Sequence, residues 1–184
     1  GLRTGSTLSH ISINEAPNYK KLFIVTDAGI NIDPSLENKR DIINNAVSAL
    51  RTMGYDKVNV AVLAALEKVN PKIKSTVDAA ELKAMNERGE ISGCIVEGPI
   101  SMDLAMDAEA ARIKGFESEV VGDADVFVVP DLDCGNILNK GFRFFAKHKQ
   151  VGIVLGAKVP IALTSRGATA ESKYLSIVVT SAMV

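Results

Sequence analysis

The stretch KLFIVTDAGINIDPSLENKRDIINNAVSALRTMG, Lys21 to Gly54, decides the fold class. Lys21–Gly29 is an apolar run that stops at Asp27-Ala28-Gly29, the composition of a buried strand entering a turn. Beyond it Ile42, Ile43, Ala46, Val47 and Leu50 recur at helical spacing, and Gly54 supplies a stop. The strand is apolar throughout instead of alternating, which predicts a sheet covered on both faces.

The same unit repeats outward. Lys57–Ala65 (KVNVAVLAA) reads as a strand, and Lys74–Gly89 reads as a helix with Ser75 or Thr76 as its N-cap. Ser92–Met106 gives a strand, a Glu97-Gly98-Pro99 turn with an exposed glutamate, and a short helix continuing through Ala108–Gly115. Ala124–Ala146 repeats strand, polar loop and helix. Gln150–Gly167 is strand-like, and the terminal helix carries Leu175, Ile177 and Val178 as its apolar positions. Alternation of this kind predicts an α/β fold of three layers, α/β/α, around a mostly parallel sheet.

Composition narrows the function. With 21 basic and 22 acidic residues interspersed along 184, the chain lacks the basic field that nucleic acid demands. No apolar run reaches the roughly 18 residues of a membrane span. Gly1–Glu15 contains no signal-peptide core. Cys94 and Cys134 have neither disulfide-framework nor zinc spacing, and no metal site can be assembled from the inventory. These features lead us to expect a cytoplasmic protein with no nucleic-acid or membrane partner. His148, among lysines, is expected to face solvent; His10, in a strand-like alternation, is expected to be a surface or packed side chain.

Ligands of open α/β sheets bind at the carboxyl ends of strands, so the loops there are the candidates. Neither a dinucleotide fingerprint nor a Walker A loop is present. Thr164-Ser165-Arg166-Gly167 is unusual. Thr169 accounts for the helix cap, but an arginine near a helix N-terminus opposes the macrodipole unless an anion joins it. Asp131, Asp133, Gly135 and Asn136 suit either a capped turn or a polar ligand. Asp103 and Asp107 are spaced to share a helix face without forming a metal pair.

VEGPISMDLA, ADVFVVPDLDCGNILNKG and VPIALTSRGATAESKYLSI, in that order, closely resemble the phosphate acetyltransferase and butyryltransferase family. LRTGSTLSH and TDAGINIDPSLENKRDIINNAV are similar to its butyryltransferase (branched-chain phosphotransacylase) branch. The resemblance implies reversible transfer of an acyl group between coenzyme A and orthophosphate, both as substrates, with no tightly bound cofactor. It implies the two-domain fold shared with isopropylmalate dehydrogenase, as a homodimer. Family members are longer, so residues 1–155 are expected to form their second (middle) domain. Residues 156–184 would be the strand and helix that return to an otherwise missing first domain, and the fragment alone would be inactive.

The resemblance assigns catalysis to Ser165 and Arg166. Arg166 would hold phosphate, and Ser165 would donate to the reacting carbonyl oxygen or thiolate. It places Arg3, Gly98, Pro99, Asp131, Asn136 and Gly167 around the substrates. The acetyltransferase branch carries a basic aspartate where this chain has Ser172, which leaves the general base unassigned. Two rivals stand beside this reading: a metal- and NAD-dependent hydroxy-acid dehydrogenase of the same fold, and a non-catalytic module that binds coenzyme A or a partner protein.

Overall fold

A computed structural model describes residues 1–146 and 148–184. Strand β2 (Phe23–Thr26) is buried at every position, and helix α1 (Leu36–Thr52) follows it. Ser35 and Asn38 close a reciprocal capping box at the start of α1. Gly54 ends it at φ +91°, where a side chain would be strained. The remaining elements are β1 (Ser9–Glu15), β3 (Asn59–Leu63), α2 (Lys74–Glu87), β4 (Ile95–Ile100), α3 (Met102–Met106), α4 (Ala108–Lys114), β5 (Val126–Val128), α5 (Leu132–Phe145), β6 (Lys149–Leu155), β7 (Ile161–Ala162) and α6 (Ala170–Ser181).

Among the described residues, seven strands form one sheet in the order β4-β3-β5-β2-β1-β6-β7. The pairs β2–β5, β3–β5 and β3–β4 are parallel, whereas β1–β2, β1–β6 and β6–β7 are antiparallel. The sheet is therefore mixed: β2 to β6 run one way, and β1 and β7 run the other. Both reversals follow short connections, which join antiparallel neighbours directly.

The three layers follow from the pleat. Ile24, Val60, Val62, Val126 and Val128 face α1 and α2 in one core. Phe23, Val25, Ala61, Leu63 and Phe127 face α3, α4 and α5 in the other. Tyr19, Phe23, Phe127 and Phe142 pack edge to face in the second core, with ring centroids 5.4–6.1 Å apart.

Several local expectations are corrected. Glu97-Gly98-Pro99 is not an exposed turn but part of β4, with Glu97 buried. Proline is tolerated there because β4 is an edge strand. Helix α2 starts after Ile73 with no side-chain cap. The Thr76 hydroxyl instead donates to Asn70 and Ile73 carbonyls. Asp103 and Asp107 fall on two helices, because Asp107 leaves α3 and caps α4. His148 is half-buried against the Phe142 ring, 6.0 Å between centroids, instead of facing solvent.

Helix α6 reverses the expected faces. Ser176 and Thr180 are its buried residues, while Tyr174, Ile177 and Val178 are exposed. Its inner face docks by hydroxyls: Ser172 donates to the Gln150 carbonyl, and Ser176 accepts from the Gly152 amide at 3.1 Å.

Candidate functional site

The site begins with the handedness of the connections. The helices after β2 and β3, α1 and α2, cover one face, and the helix after β5, α5, covers the other. The connections leaving β5 and its neighbours β3 and β2 therefore part to opposite sides. A crevice opens at the carboxyl ends of these strands, the place where open sheets take ligands. A cavity of about 440 Å³ occupies it. Its apolar wall includes Leu63, Ala65, Met102 and Pro130, and its polar rim includes Lys39, Lys74, Ser75 and Asp131.

Lys39 is the charged group set deepest there. Its side chain is 4% exposed, and its ammonium sits 2.7 Å from Asp78. Asp78 also receives Lys74 at 2.9 Å, one helical turn earlier. Burial works to raise the Asp78 carboxyl, but the two ammonium groups outweigh it and hold the carboxyl below its ordinary range. The sequence reading missed this trio. Lys39 lies three residues before Ile42, inside the apolar stripe of α1, and that position was the available signal.

Asp27 orders the loop that leaves β2. One carboxylate oxygen accepts the Gly29 and Ile30 amides at 2.8 and 3.1 Å, and the other accepts both Asn31 donors. Asp131 caps α5 by accepting the Cys134 amide at 2.8 Å, the ordinary role of an aspartate before a helix. Gly135 is buried because α5 approaches β2 closely: a Cβ there would lie 2.9 Å from Ala28 and Val129 atoms. Asn136 is exposed one turn along the helix. Gly98 and Pro99 lie buried in β4; a Cβ on Gly98 would come within 2.9 Å of Val62 and 3.1 Å of Ala79. Packing against α2 accounts for that glycine.

Ser165, Arg166 and Gly167 stand elsewhere. β7 runs against β6, so its end points to the opposite edge of the sheet from the crevice. The turn is exposed and closes with the Ala168 amide on the Ser165 carbonyl, 3.0 Å. Arg143, near the end of α5, donates to the Gly167 carbonyl. Asp131 stands at the start of that helix, roughly 18 Å away at 1.5 Å per residue. Thr169 caps α6 by accepting the Ser172 amide at 3.1 Å. Arg3, exposed, pairs with Ala157 in the β6–β7 connection. Asp131 and the Ser165–Arg166 pair are thus not brought together within this chain. Among the described residues, no three His, Cys, Asp or Glu side chains cluster closely enough to hold a metal.

Residues 1–181 match the family model described as Phosphate acetyl/butaryl transferase. The chain belongs to that family. It is 45% identical over 177 residues to a phosphate acetyltransferase of Thermotoga maritima, covering 96% of this chain and 60% of that protein. It is 46% identical over 177 residues to a probable phosphate butyryltransferase of Bacillus subtilis, covering 96% and 59%. The crystal structure of a branched-chain phosphotransacylase from Enterococcus faecalis superposes with a TM-score of 0.87 at 37% identity, covering 96% of this chain and 63% of that one. This member of the family therefore spans about three fifths of the length of the curated relatives it matches. The acetyl and butyryl relatives stand at 45% and 46% identity, so family membership leaves the acyl chain open.

Proposed function

We propose that this chain is the greater part of an enzyme that moves a short acyl group, butyryl or branched, between coenzyme A and orthophosphate. The family match across residues 1–181 carries the proposal. The exposed Ser165–Arg166 turn supports it, because its guanidinium is free to meet an anion. In this reading Arg166 holds orthophosphate. A phosphate oxygen attacks the thioester carbonyl, the new C–O bond forms as the C–S bond breaks, and the coenzyme A thiolate leaves. Ser165 donates to the carbonyl oxygen as negative charge builds there. Ser172 takes no proton in this reading, since a serine hydroxyl is too weakly basic to hold one at neutral pH. Gly167 completes the turn, and Arg3, Asp131 and Asn136 make outlying contacts to an extended acyl-CoA.

We place residues 1–155 in a second domain and 156–184 with a first domain supplied by the rest of a longer protein. The reversed faces of α6 support this: Tyr174, Ile177 and Val178, with Ile161 and Leu163 alongside, present apolar surface outward. Helices normally bury that face. The same reading makes the whole protein a homodimer, which sedimentation tests.

The functional test is release of free thiol from butyryl-CoA by the whole protein, with and without orthophosphate. Phosphate-dependent release, with a sharply raised phosphate requirement in Arg166→Ala, is the expected result. Release indifferent to phosphate points to a thioesterase, and no release across an acyl-CoA panel leaves a binding module.

A further inference from the structure

The acyl-transfer reading touches the crevice only at Asp131 and places orthophosphate at the Arg166 turn, toward the opposite edge of the sheet. The crevice itself has the make-up of a small-molecule site. Its volume of about 440 Å³ falls within the range of roughly 300–1,000 Å³ such sites occupy, with a few polar groups set among apolar ones. The unsatisfied group is Lys39. An ammonium carries three N–H donors. Asp78 accepts one at 2.7 Å, and no other acceptor among the described residues bonds it. The same carboxylate oxygen also receives Lys74, at 2.9 Å. With its side chain 4% exposed, Lys39 turns its remaining donors to the cavity it lines instead of to bulk water. A buried charged donor left without an acceptor is costly, and a ligand that supplies one is held by it.

The rest of the lining selects the ligand. Asp33 and Asp131 bring two further carboxylates to the cavity, so a phosphate dianion or a polyphosphate is repelled. Lys39 and Lys74 repel a cation. A neutral apolar molecule leaves the spare Lys39 donors unpaired. A single carboxylate meets them, with the Ser75 hydroxyl in the same lining as a second donor. Leu63, Met102 and Pro130 then take a hydrocarbon tail. We propose that the crevice binds a monocarboxylate with a short apolar tail, its carboxylate on the Lys39 ammonium, at a site separate from the Ser165–Arg166 turn. Each methylene buried against the apolar wall should tighten binding by about threefold to fourfold. The site stands whether or not the acyl-transfer reading does, and its test reads no turnover.

Cys134 lines the same cavity and is exposed, so its alkylation reports occupancy. Burial, together with the Asp131 and Asp133 carboxylates, holds its thiol above the ordinary value, and labelling at about pH 8.5 supplies enough thiolate. The probe is hexanoate added to the whole protein, with the Cys134 peptide followed by mass spectrometry. Hexanoate at about 10 mM should slow alkylation by about fivefold or more, and butyrate and acetate should need progressively higher concentrations. Hexanol, hexylamine and inorganic phosphate should leave the rate within about twofold. Two variants separate head from tail. Lys39→Met with Asp78→Leu removes both buried charges together and should weaken hexanoate by about tenfold or more. Ala65→Phe keeps Lys39, fills space along the apolar wall and should weaken hexanoate to a similar extent. No protection by hexanoate, equal protection by hexanol, or undiminished protection in either variant overturns the proposal. Protection by coenzyme A at a lower concentration than hexanoate also overturns it, because the crevice then belongs to the acyl-transfer site.

Discussion

Removing the Asp78 carboxylate is the sharpest perturbation of the crevice. Asp78→Ala leaves the Lys39 ammonium, on a side chain only 4% exposed, without its carboxylate 2.7 Å away. Lys74 is 62% exposed and simply returns to water. Stranding a buried charge costs about 3–5 kcal/mol, far more than an exposed pair contributes. For a chain of this length that corresponds to a fall of roughly 6–20 °C in Tm. Replacing both partners, Lys39→Met with Asp78→Leu, removes the stranded charge and should recover most of the loss. Urea unfolding followed by circular dichroism at pH 7 reads each variant, and the double-mutant cycle isolates the coupling. Salt at about 1 M screens the Lys74 contact but hardly the buried one, so the Asp78→Ala deficit should persist. The sign with pH follows from the depressed carboxyl. The stability it contributes is complete above the unfolded value near 3.9 and is lost as pH falls through the folded one. A deficit below about 1 kcal/mol in Asp78→Ala, or no recovery in the double variant, refutes the reasoning.

Gly98→Ala should lose about 1–3 kcal/mol by overpacking, since its Cβ meets Val62 and Ala79; an unchanged urea midpoint would show that α2 can withdraw freely. His10 and His148 are both held below the ordinary histidine value, chiefly by burial. Stability tied to them is full above about pH 6.5 and should decline as pH falls through their folded values, and the decline should shrink in His10→Gln. Ser176→Val removes the acceptor of the buried Gly152 amide and should cost about 1–3 kcal/mol; a thermal melt matching the parent would disprove that docking of α6. Ser165→Ala, on an exposed turn, should leave the melt within about 0.5 kcal/mol of the parent while lowering acyl transfer.

Local chemistry was legible in the sequence, and long-range pairing was not. Gly54 after α1, Asp131 before α5 and Thr169 before α6 act where the sequence places them, because a cap or a left-handed stop involves only neighbouring residues. The alternation of strand and helix, and with it the covered sheet, was equally local. Glu97-Gly98-Pro99 misled, because a turn and an edge strand accept the same residues until a neighbouring strand is known. Lys39 was overlooked as a helix lysine, since its partner Asp78 lies on a different helix.

The sequence by itself determined the class of fold, the stop of α1, the caps of α5 and α6, and the family to which the chain belongs. Only the tertiary structure decided that β7 runs against β6, carrying Ser165 and Arg166 away from the edge where Asp131 and the crevice lie. It alone decided that α6 docks by Ser172, Ser176 and Thr180 and turns Ile177 and Val178 outward. The reason is physical: periods of 2 and 3.6 residues show that a segment has faces, and are the same for either strand direction and either choice of partner. Direction and partner are set by contacts between residues far apart in the chain.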